Sequence, residues 1–99
     1  MATARWVGYQ QLVDAVRSTG AQNIVIAGGL DYAFDLSGVK GHGLQGDNIA
    51  FSTHVYNFSE KQPHAWPRAF GELMKSAPVI CTEFGDTRAS LHPACLCRC

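Results

Sequence analysis

The apolar positions of this chain change period along its length. Tyr9, Leu12, Val13 and Val16 recur at helical spacing and Gly20 follows Ser18 and Thr19 as a stop, so residues 9–19 read as a helix. After a short turn comes "NIVIAGG", with β-branched residues at 24–26 and two glycines, which predicts a buried strand ending at Ala27. Residues 28–47 hold six glycines and no clear period, so they predict a long loop with one helical turn near "LDYAFDLSG". "NIAFSTHVY" predicts a second strand. "AWPRAFGELMKSA" predicts a second helix, with Pro67 near its first turn and Trp66, Phe70, Leu73 and Met74 on one face. In "VICTEFGD" the apolar run Val79, Ile80, Cys81 is continuous, as in a strand covered on both faces, and Glu83 stands where the run stops.

The order helix, strand, loop, strand, helix, strand predicts an α/β fold with parallel pairing, because helices between parallel strands pack back onto the sheet. In such folds ligands and catalytic groups gather at the carboxyl ends of strands, which makes Glu83 a candidate site residue. Three parallel strands also form an unfinished sheet, with two edges and an uncovered face.

Charge narrows the partners. Among 99 residues, eight basic and eight acidic side chains cancel, and no block of like charge offers a footprint for nucleic acid or an anionic membrane. The opening "MATARWVGYQ" lacks the apolar core of a secretory leader, and no stretch reaches the length of a membrane span. Cys95, Cys97 and Cys99 crowd the end while Cys81 sits in the apolar run, a distribution unlike a disulfide framework and suited to a core Cys81. The "CLCRC" tail leaves a thiolate metal site open as an alternative to an irregular end. His42 and His64 lack a partner at zinc spacing, and "GVKGHGLQGD" lacks the ending of a phosphate loop, so neither a metal nor another cofactor is expected.

At these residues the chain resembles family 5 glycoside hydrolases of the cellulase type. "NIVIAGG", "NIAFSTHVY" and "PVICTEFGD", in this order, are similar to the fifth, sixth and seventh strands of that family's (β/α)8 barrel, over about residues 6–86. The resemblance implies a partial TIM barrel truncated at both ends, with residues 1–86 as part of a catalytic domain and 87–99 as an irregular cysteine-rich tail. It implies Glu83 as the catalytic nucleophile, Tyr56 as its hydrogen-bond partner, and His54 as the residue that orients the site and contacts sugar. It also implies a polysaccharide or oligosaccharide substrate such as β-1,4-glucan, and work outside the cell. Oligomeric state is left open.

The chemistry of the residue types agrees with that assignment. A retaining glycosidase uses two carboxyl groups about 5–5.5 Å apart, one attacking the anomeric carbon and one protonating the leaving oxygen. Glu83 suits the first role, with a hydroxyl donor such as Tyr56 to steady its anion. Tyr32, Phe34 and Trp66 lie in or beside the loops beyond the strand ends, where aromatic faces stack on pyranose rings; Trp66 equally suits helix packing with Phe70 and Leu73. The family's acid/base glutamate follows an asparagine, and no Asn-Glu dipeptide occurs here; the other glutamates are Glu60, in a polar loop, and Glu72, in a predicted helix. Little turnover is therefore expected of the chain alone. Plainer roles remain beside these: Glu83 as a solvated or capping acid, His54 as a structural histidine, Asp31, Asp35 and Asp86 as loop caps. The whole chain also has an alternative as a non-catalytic glycan-binding or protein-interaction module, presenting Tyr32, Phe34 and Tyr56 or its bare sheet edges.

Overall fold

The computed structural model describes residues 7–39 and 43–86. Its frame is a three-stranded parallel sheet in the order β1 (Val25–Gly28), β2 (Ile49–Tyr56), β3 (Val79–Gly85). Val25 pairs with Ile49, and Phe51 with Val79, so all three carboxyl ends point to one rim. The predicted strands are present in the predicted order. Calls on His42 and on the 87–99 tail with Cys95, Cys97 and Cys99 lie outside the described residues.

α1 (Tyr9–Ser18) begins at Gly8, whose N–H donates to the side-chain oxygen of Gln11 at 3.1 Å, a back-bond that satisfies one of the helix's free amides. It ends where Gly20 takes φ 85°, the left-handed position that glycine tolerates best. Of the four apolar residues that predicted this helix, Val13 is buried, Val16 is half-buried, and Tyr9 and Leu12 stay exposed. Polar contacts share in holding it. The Arg17 guanidinium donates to the carbonyls of Ala21, Asp47 and Asn48, and Gln10 exchanges two hydrogen bonds with the backbone of Gln45, tying α1 to the approach to β2.

One face of the sheet carries the core. Ala27, Leu36 and Phe51 form its centre, surrounded by Val39, Leu44, Ile49, Phe70, Leu73, Ala77 and Val79. Leu36 comes from the segment predicted as loop, and its N–H donates to Ala69 at 2.7 Å. Thr53, on β2, is buried and donates to the carbonyl of Phe34 at 3.0 Å, so the loop is stitched to the sheet as well as packed on it.

Three expectations change. The single turn Leu30–Ala33 is not a right-handed one, because Asp31, Tyr32 and Ala33 have φ of 51°, 54° and 65°. Such a run costs energy at each residue and persists only where the surroundings fix it. Here two hydrogen bonds between Leu30 and Asp35 close the turn, and the backbone of Gly29 runs so close to the Asp35 carbonyl that a Cβ would collide with it. The second helix is also not regular: Pro67–Gly71 winds as a π-helix and Leu73–Lys75 as a 3₁₀-helix. Pro67 brings no N–H to a ladder, and Gly71 lets the widened turn pass within contact of the Trp66 carbonyl. Met74 lines a hollow with Trp66 and Phe70 against Thr53, Val79 and Cys81, yet stays 58% exposed.

Finally, β1 and β3 are not covered on both faces. Ile26 is 48% and Ile80 40% exposed. Both share a face with Ala50 and Ser52 by register and alternation, opposite the core formed by Ala27, Phe51 and Val79. Among the described residues no helix is long and apolar enough to cross a membrane.

Candidate active site

The sequence-predicted trio of Glu83, His54 and Tyr56 comes together at the rim. His54 and Tyr56 are two apart on β2 and therefore share a face. Glu83 reaches that face through an irregularity in the neighbouring strand. Thr53 pairs with Cys81, but His54 then pairs with Glu83, leaving Thr82 as an extra residue. Without the shift, Glu83 would lie opposite Val55 and turn toward the other side of the sheet. Bulges that re-aim a side chain in this way are frequent beside active sites.

The Tyr56 hydroxyl donates to Glu83 Oε1. This hydrogen bond, helped by partial burial and the carboxylate's charge, raises the Tyr56 pKa above the ordinary phenol value, because ionising the phenol would destroy the bond. His54 directs Nδ1 at Glu83 Oε2 from 3.7 Å, and its Nε2 lies 3.1 Å from Thr82 Oγ1. Gly85, paired with Tyr56, matters for space: a Cβ there would stand 3.1 Å from the ring's Cε1. The Glu83 side chain is 52% exposed and that of His54 26%, so the carboxylate is open to a substrate from one side.

Beyond the trio, Asn57 Nδ2 donates to Asp86 Oδ1 at 3.0 Å, and Gln62 Nε2 donates to Asn57 Oδ1 at 2.8 Å. Asp86 thus joins the ends of β2 and β3, a different part from the loop cap expected of it. Asp35 does cap, accepting the Ser37 amide at 2.8 Å. Among the described residues, no group of three or more His, Cys, Asp or Glu side chains is arranged to hold a metal ion.

Compared with known protein families, the chain matches Cellulase (glycosyl hydrolase family 5) over residues 2–98. The chain belongs to glycoside hydrolase family 5. No curated protein and no solved structure matches it. Membership makes it a glycoside hydrolase in kind, from a family of TIM barrels that act on polysaccharides, typically outside the cell.

For this glycoside hydrolase the three candidate sugar-binding aromatics lie in contrasting settings. Tyr32 is 90% exposed in the left-handed turn after β1. Phe34 is buried and meets Phe70 edge to face at 6.2 Å, which leaves it no open face for a sugar. Trp66 is half-buried against Phe70 at 6.0 Å, with its indole N–H donating to the Lys61 carbonyl at 2.9 Å. Its observed contacts are those of packing.

Lys61 was not singled out by the sequence. Though 5% exposed, it places Nζ 5.4–5.6 Å from the ring centres of Tyr32, Phe34 and Phe58, and within 3.7 Å of the Asp31 carboxylate. It also donates to the Asp31 carbonyl at 3.3 Å, so one cation pins the turn that carries Tyr32. A lysine in "SEKQ" reads as solvated; only the tertiary arrangement gathers the rings around it.

Proposed function

We propose that this chain carries the nucleophile side of a retaining glycoside hydrolase that cleaves β-1,4-glucan by double displacement. Glu83 attacks the anomeric carbon as the glycosidic C–O bond breaks, giving a glycosyl ester that water then hydrolyses. Tyr56 steadies the carboxylate before attack, and His54 faces its second oxygen. The observation that carries the reading is the Tyr56 hydroxyl donating to Glu83, with His54 alongside, at the carboxyl ends of adjacent parallel strands in a family 5 chain.

The three strands fit as neighbours in a (β/α)8 barrel, with Ile26, Ala50, Ser52 and Ile80 facing its interior and the Leu36–Phe51–Phe70 side under the helical layer. The general acid that protonates the leaving oxygen then comes from outside these 99 residues. Glu60 accepts from Ser59, and Glu72 is paired with Lys75, so both have local partners. Tyr32, exposed on the loop after β1, supplies a stacking face for a sugar unit.

A test is available that bypasses the acid. Dinitrophenolate leaves without protonation, so rapid mixing of the chain with dinitrophenyl β-cellobioside reads the first step alone. The expected result is a burst approaching one equivalent that Glu83→Gln abolishes. No burst from either protein rules out this nucleophile, and glucan affinity retained in both would identify a binding module instead.

A further inference from the structure

Thr82 is the residue that the β-bulge leaves over, and its hydroxyl lies nearer to His54 than any carboxylate oxygen of Glu83 does: 3.1 Å to Nε2, against 3.7 Å between Nδ1 and Oε2. A neutral imidazole has one N–H and one bare lone pair, and what faces each nitrogen decides which is which. A bare Nδ1 would turn its lone pair toward the Glu83 carboxylate, setting negative against negative. An Nδ1–H turns the positive end of the dipole toward it. Nε2 is then bare and accepts the Thr82 hydroxyl, which can donate as readily as it accepts.

We propose that the Glu83 carboxylate fixes His54 as the Nδ1–H tautomer, and that Thr82 is the positioning residue that holds the ring with that edge toward Glu83 by donating to the bare Nε2. Histidine in water favours the Nε2–H form, so the site must hold the other one in place. The bulge does two things at once: it turns Glu83 onto the face of His54 and Tyr56, and it brings the Thr82 hydroxyl to the far edge of the same imidazole. At 3.7 Å the Nδ1–H acts as an oriented dipole on the carboxylate, supplementing the direct bond that Tyr56 gives to Oε1. The functional meaning rests on Glu83 being the attacking group, but the test reads the imidazole itself.

The test is long-range nitrogen–proton correlation spectroscopy on the full, nitrogen-15-labelled chain at alkaline pH. The His54 signals are identified by their loss in His54→Gln. The Nδ1–H pattern is expected to dominate for His54. Glu83→Gln, whose amide can face either form of Nδ1, should shift the tautomer ratio toward Nε2–H about fivefold, the equilibrium worth of one ordinary hydrogen bond, whereas Thr82→Val, which removes a hydroxyl able to serve either tautomer, should shift it less. Dominance of Nε2–H in the unaltered chain overturns the proposal, as does an unchanged ratio in Glu83→Gln. Should Glu83→Gln fail to fold, the tautomer of the unaltered chain decides alone. An Nδ1–H His54 in a chain that gives no cellobioside burst would keep this inference and sink the nucleophile assignment.

Discussion

The Tyr56–Glu83 pair makes a prediction at the scale of a single proton. The hydrogen bond holds the phenol above its ordinary value of about 10, so its contribution is complete below that value and is lost as pH rises through the raised one. On alkaline titration a phase of phenolate absorbance belonging to Tyr56 should appear above the ordinary phenol value, and Tyr56→Phe should delete it. Glu83→Gln keeps a carbonyl acceptor but removes the charge, so the Tyr56 phase should move down. An identical titration in Glu83→Gln would mean that the bond does not form in solution. Glu83 stands out in the sequence as a strand-end acid, whereas His54 and Tyr56 become candidates only through the HxY spacing that resembles family 5; both are local patterns. Thr82 was not legible there. Its role depends on the pairing of two strands 28 residues apart at His54 and Thr82, and a bulge leaves no mark in either strand alone.

At the scale of elements, period and punctuation located all three strands and α1 but misjudged what joins them. The stripe Trp66, Phe70, Leu73, Met74 fits a regular helix, yet Pro67 and Gly71 bracket a π-turn, and Met74 keeps to the side of Trp66 and Phe70 while remaining exposed. Glycine content marked residues 28–47 as loop, which hid that Leu36 is the most buried member of the core cluster. It also hid that the left-handed turn is made by Asp31, Tyr32 and Ala33, held from outside by Lys61. The seam between this loop and the sheet can be tested at Thr53. Thr53→Val keeps the shape but leaves the Phe34 carbonyl without that donor in a buried place, a loss of about 1–3 kcal/mol. Urea unfolding in dilute solution should show a lower midpoint with an unchanged slope. A midpoint equal to that of the unaltered chain would show that the loop is held by packing on Leu36 and Phe34 alone.

At the scale of the whole molecule the sheet is sided. Its core face is filled, whereas the face carrying Ala50 and Ser52 leaves Ile26 and Ile80 substantially exposed, and β1 and β3 are edge strands in the described residues. Full burial of an isoleucine is worth about 1.5–3 kcal/mol, so two half-exposed ones, together with unpaired edge amides, give separate chains a real incentive to meet. The expected behaviour is self-association: sedimentation velocity should show heavier species growing with concentration, and the thermal midpoint should rise with it. Ile26→Lys combined with Ile80→Lys places two charges on that face. Since neither side chain is buried, the double variant should keep its secondary structure and shift the population toward monomer. If the unaltered chain instead stays monomeric at every concentration and melts sharply at one temperature, the open face is not sticky and the sheet is sufficient by itself. If the double variant unfolds rather than dissociates, Ile26 and Ile80 are covered in solution, and the face that would line a barrel is already closed.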